Sequence, residues 1–64
     1  MTAKQLANLP LGSRVRLEGP GGEEGVIIKI GPVVYISWPD SDVVNYVDTN
    51  SPKWRTFISW LEIA

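Results

Sequence analysis

The sequence contains no cysteine and no histidine. Their absence removes disulfide staples, thiolate zinc centres, iron–sulfur clusters and every thiol or imidazole catalyst. An excess of one charge is also missing, with 6 basic residues against 7 acidic ones and a net charge of −1. Such a chain has no strong field to draw in nucleic acid or an anionic membrane. No apolar run approaches the roughly 20 residues of a membrane-spanning helix. Met1 to Asn8 carries one Lys and no continuous apolar stretch, so it does not read as a secretory signal. The expected setting is cytoplasmic, without membrane, metal or cofactor. What is present suits one small folded domain over residues 1–64. The hydrophobic share is 44% and the charged share 20%, which is too apolar for a disordered chain. A domain of this size buries only about 60% of its unfolded surface, so its stability is narrow.

Glycine and proline punctuate the chain at short intervals. Leu9-Pro10-Leu11-Gly12 ends a lead-in, and Gly19-Pro20-Gly21-Gly22 reads as a loop. Gly31-Pro32, Pro39-Asp40-Ser41-Asp42 and Asp48-Thr49-Asn50-Ser51-Pro52 read as turns. Between them lie short runs rich in Val, Ile, Tyr and Trp, which is strand composition at strand length. Over Ser13–Glu18, Val15 and Leu17 alternate with Arg14, Arg16 and Glu18. Gly25–Ile30 places Val26, Ile28 and Ile30 on one face. Val33–Trp38 places Val34, Ile36 and Trp38 together, with Val33, Tyr35 and Ser37 opposite. Val43–Val47 is two-faced: either Val43 with Val47 or Val44 with Tyr46 turns inward. Alternation with one wet face predicts an antiparallel sheet.

The C-terminal stretch reads both ways. Trp54, Phe57, Ile58 and Leu61 have helical spacing, and Ser51-Pro52 is a good helix start. Phe57–Ile63 is nevertheless dense in β-branched and aromatic residues. The expectation is a helical turn near Pro52–Arg55 and a last strand around Ile58–Ile63, with a full helix as the alternative. Thr2–Asn8 fits a short helical turn touching the core through Leu6 and Leu9.

Gly12-x-x-Val15-x-Leu17, a Gly-rich loop, Gly25-Val26-x-x-x-Ile30 and Val34-x-Ile36-x-Trp38-x-Asp40 together resemble the SH3-like small β-barrels. These include KOW and Tudor-type domains and short bacterial and phage proteins of unassigned function. The resemblance covers Leu11 to Ile63. It implies an all-β, five-stranded SH3-like barrel with a short N-terminal lead-in and a helical turn before the last strand. The expected core is Val15, Leu17, Val26, Ile28, Ile30, Val34, Ile36, Leu61 and Ile63. Peptide-binding SH3 domains carry an acidic loop, a Trp opening the third strand and a Pro–Tyr pair before the last strand. Here Trp38 ends its strand and no Tyr follows Pro52 closely, so the resemblance does not extend to proline-rich peptides. An aromatic groove of another shape remains compatible.

Three binding surfaces can be drawn on this frame. Three Trp are many for a small core, and the alternation turns Tyr35, Ile58 and Trp60 outward. With Trp54 they form an aromatic, charge-poor surface suited to a protein partner or a second copy. KOW-like modules set basic residues around a glycine pair; Gly22-Glu23-Glu24-Gly25-Val26 has two carboxylates there, which would repel phosphate. A nucleic-acid alternative would use Arg14, Arg16 and Lys29 instead. A Tudor-like cage, holding a methylated ammonium by cation–π attraction, would use Trp38, Asp40 and Tyr46. Catalysis has no support: there is no phosphate-cradling glycine loop and no nucleophile elbow. Asp40, Asp42 and Asp48 lack the ordered spacing of a calcium loop.

Overall fold

The computed structural model describes residues 1–19 and 21–64; Pro20, inside the loop expected over Gly19–Gly22, lies outside them. The chain opens on a capping box. Thr2 Oγ1 accepts from Gln5 N–H while Gln5 Oε1 accepts from Thr2 N–H, which starts α1 (Ala3–Ala7). Then come β1 (Arg14–Leu17), β2 (Glu24–Lys29), β3 (Val33–Trp38) and β4 (Val43–Asp48). A 3-10 turn (Pro52–Trp54), α2 (Arg55–Ser59) and β5 (Leu61–Ile63) complete the described chain. Ser51 caps the 3-10 turn by accepting from Lys53 N–H, with Pro52 in its first turn.

All strand pairs are antiparallel, in the order β4-β3-β2-β1-β5. The fold is therefore all-β with five strands, a short lead-in and a helical segment before the last strand, as the sequence predicts. The ladder does not close into a barrel, because β4 and β5 are the two ends of the sheet. Leu6 of α1 and Ile58 of α2 complete the core instead. They pack with Val15, Ile27, Val34, Ile36, Trp38, Val47 and Leu61, all buried. The helical segment runs to Ser59, so β5 is three residues long where a strand from Ile58 was expected.

Strands β1 and β3 follow the predicted alternation, with Val15 and then Val34, Ile36 and Trp38 turned inward. Leu17 is half-buried. Strand β4 resolves its ambiguity with Val47 buried and Val44 and Tyr46 outward. In β2 the expected parity is reversed. Gly25 and Ile27 face the core, Val26 is half-buried, and Ile28 and Ile30 are 48% and 50% exposed. A bulge at Ile28 then restores the expected side for Lys29: Ile27 pairs with Ile36 and Lys29 already pairs with Tyr35. Uninterrupted register would carry Lys29 to Val34 on the core face. The extra residue returns its ammonium to the outer face, where a charge costs little.

The reversal itself comes from Trp38. Its ring lies over Gly25, and a Cβ there would stand 2.8 Å from Ile36 Cγ2 and 2.9 Å from Trp38 Cε3 and Cζ3. A residue with a side chain cannot share that layer with Trp38, so the glycine takes the inner position. Ile63, also expected in the core, is 62% exposed at the open end of the short edge strand β5.

Candidate functional site

Two surfaces hold the chemistry-bearing side chains. The first is the outer face of the sheet, which is divided. On β1, β2 and β5 it is charged and internally neutralised. Arg14 Nη1 lies 3.6 Å from Glu24 Oε1, and Arg16 Nε donates to Glu62 Oε1 at 2.9 Å. On β3 and β4 it is apolar, with Tyr35 and Tyr46 directly paired and their rings 4.6 Å apart, edge to face. Lys29 Nζ sits 5.0 Å from the Tyr35 ring centroid. Each of the three cations read as a nucleic-acid stripe thus has a partner on its own chain.

The second surface is a groove of about 400 Å³ at one end of the sheet. Leu17, Trp38, Val43 and Phe57 give it apolar walls, while Glu18, Glu23, Ser41 and Asn45 supply polar groups. It arises because three segments converge. The β1–β2 loop folds back so closely that Gly22 approaches the Leu17 carbonyl, where an added Cβ would collide with backbone. The Ser41 hydroxyl donates to Glu23 Oε1 at 2.6 Å, which ties the β3–β4 turn to that loop. That turn also holds Asp42 at a φ of 54°, a left-handed conformation that Asp tolerates better than most side chains. Phe57, on α2, stacks edge to face with Trp54 at 5.4 Å and closes the remaining side. Trp38 donates its indole N–H to Asn45 Oδ1 at 2.7 Å, so the buried ring shows the groove no unpaired polar atom.

The residues read as sites in the sequence are dispersed by this geometry. Ile58, expected to face outward, is buried in α2, because the helix that replaces the start of the last strand turns it onto the core. Trp54 is half-buried against the core. Trp60 is 55% exposed and Tyr35 half-buried. Strands β1 and β2 lie between β3, which bears Tyr35, and β5, which follows Trp60. No cage forms from Trp38, Asp40 and Tyr46: Trp38 faces inward and Tyr46 outward on neighbouring strands, and Asp40 is in the exposed turn. Among the described residues no group of three acidic side chains is placed to hold a metal ion.

Sequence reasoning missed the groove residues Leu17, Val43, Asn45 and Phe57 as a set. They come from three separate elements and have no common spacing. The available signal was the pair of glycines before Glu23, which marks a loop drawn tight against its own strand. Comparison with known proteins leaves the geometry to stand alone: no family model, no curated protein and no solved structure matches the chain.

Proposed function

We propose that this chain is a small SH3-like interaction module that binds a protein segment in the groove walled by Leu17, Trp38, Val43 and Phe57. The SH3-like reading is supported by the order β4-β3-β2-β1-β5 and by the 3-10 turn shortly before the last strand. One observation carries the binding role: an apolar concavity of about 400 Å³ that an acidic loop overhangs. Binding sites are usually concave, mostly apolar and edged by a few polar groups, which is the composition here. The pairing of Arg14 and Arg16 with carboxylates weighs against the nucleic-acid alternative. No helix among the described residues is long and apolar enough to cross a membrane. The reading places the module in the cytoplasm as an accessory to a larger assembly.

Selection of a displayed peptide library on the immobilised chain tests this. Selected peptides are expected to shift the Trp38 indole N–H signal of the labelled protein. Val43→Lys, which sets a tethered cation against Glu18 and Glu23 in the groove, should weaken them by about tenfold, roughly 1.4 kcal/mol. Val43 is 45% exposed, so the fold should survive the change. Overturning results are peptides whose binding ignores Val43→Lys, or an RNA oligonucleotide that binds with steep salt dependence and shifts Arg14, Arg16 and Lys29 alone.

A further inference from the structure

Strand β4 is an end of the sheet, and its register with β3 runs unbroken over six residue pairs. Thr49 N–H donates to the Pro32 carbonyl, one pair beyond the strand. Hydrogen-bonded pairs alternate along an antiparallel ladder, so the backbone of Val43, Asn45 and Val47 is turned to β3. The N–H and C=O groups of Val44 and Tyr46 therefore point away from the sheet along its free edge. Edge strands are commonly blunted by Lys, Pro or a bulge. Strand β4 has none of these: its sequence is Val-Val-Asn-Tyr-Val-Asp, and both Val44 and Tyr46 are exposed. The inner face of the same strand, through Val43 and Asn45, is one wall of the groove.

These two features adjoin. A segment pairing with β4 would place alternate side chains level with Val43 and Asn45, over the groove, and the others beside Val44 and Tyr46. We propose that the free edge of β4 and the groove beside it take an extended, basic and apolar segment of a partner protein by strand addition. The inference rests on the groove being the binding surface. Charge selects the occupant. Glu18 and Glu23 line the groove, Asp40 and Asp42 stand in the turn at one end of β4, and Asp48 ends the strand. None of the lining residues is basic. The incoming strand supplies Lys or Arg to these carboxylates and an apolar side chain to Leu17, Trp38 and Phe57. A second copy fits worse. Two-fold pairing centred on Tyr46 sets the carboxylate of Asp48 against the apolar Val44 of the other copy, and pairing centred on Asn45 sets each Val44 opposite Tyr46. The second register also sets Asp42 of each copy opposite Asp48 of the other, and like charges directly opposed destabilise a strand pair.

The probe is the peptide acetyl-Lys-Thr-Leu-Thr-Val-Thr-Lys-amide, titrated into the labelled full chain. Binding is expected to shift the amides of Val44 and Tyr46 together with the Trp38 indole. Exchanging both Lys for Glu should weaken it by about tenfold or more. N-methylation of the Thr amides should abolish it, since those N–H groups face β4 in an antiparallel addition, while N-methylation of the Leu and Val amides should be tolerated. Val44→Pro, which removes an edge donor without touching the β3 ladder, should match the first methylated peptide. The methylated peptides need no variant to fold. If the parent binds in the groove and neither methylation weakens it, strand addition is wrong and the groove reading stands. If the parent shifts neither Trp38 nor Val44 and Tyr46, both fail. Equal binding of the Glu peptide overturns the basic partner, and a dimer that Val44→Pro dissolves gives the edge to a second copy.

Discussion

Ile36→Ala is expected to unfold a large share of the protein at room temperature. Ile36 is fully buried at the centre of β3, opposite Ile27 of β2 and Asn45 of β4. Its Cγ2 lies within contact of the Gly25 position, which has no side chain to move into the space left behind. Truncation thus loses transfer free energy and leaves a cavity that cannot collapse, together about 2–5 kcal/mol. A small domain has little more than that to lose. The control is Ile28→Ala, on the bulge next to Ile27 and 48% exposed, which should cost well under half as much. Urea denaturation of both variants, followed by tryptophan fluorescence, checks the pair. Similar midpoints for the two, or a larger loss at Ile28, would mean that the inward face of β2 is assigned the wrong way round.

That pair of residues also marks how far the sequence could be read. In β1 polar and apolar residues alternate strictly. In β3 the polar groups other than the indole N–H, on Tyr35 and Ser37, share the face opposite Val34, Ile36 and Trp38, so the inner face follows from period two. The same rule misreads β2, where Val26, Ile27 and Ile28 are consecutive and apolar. Which of them turns inward is decided by Trp38, a residue 10 to 12 positions further on, whose ring needs the space above Gly25. Strand β4 stays ambiguous for a related reason, because Val44 and Tyr46 on its outer face are as apolar as Val43 and Val47. The surplus of apolar residues that hides its parity is also what leaves its edge attractive to a partner strand.

The C-terminal segment shows local and tertiary preferences sharing one stretch. Ser51 and Pro52 start a helical turn as their chemistry predicts, and Phe57 and Ile58 keep it going by packing on the core. Leu61 then pairs with Leu17 and converts the chain to strand. Of the three Trp, one is buried, one half-buried and one exposed, so their number alone did not mark a binding surface. The groove was illegible because its walls meet only after the β1–β2 loop folds back. That step depends on backbone approach at Gly22 and on the Ser41–Glu23 hydrogen bond, neither of which has a sequence period.

Gly25→Ala should link core and groove in a single variant. The added Cβ meets Ile36 Cγ2 at 2.8 Å and two Trp38 ring carbons at 2.9 Å, distances at which something must move. Gly25 itself is held in the ladder, opposite Val15 of β1 and between Glu24 and Val26, which pair with Arg16 and Arg14. The indole is the group with room to yield, because one side of it faces the open groove. Overpacking of this kind costs about 1–3 kcal/mol, or roughly 4–8 °C in melting temperature for each kcal/mol in a domain of this size. Displacing the ring also strains the bond from Trp38 Nε1 to Asn45 Oδ1 and narrows the groove. Gly25→Ala is therefore expected to lower the melting temperature, to shift the Trp38 indole signal and to weaken groove-bound peptide in the fraction that stays folded. Thermal melts and peptide titration on the same sample check this. Full peptide affinity beside a lowered melting temperature would place the strain in Ile36 and leave Trp38 where it is, whereas an unchanged melting temperature would mean that Gly25 does not lie beneath the ring.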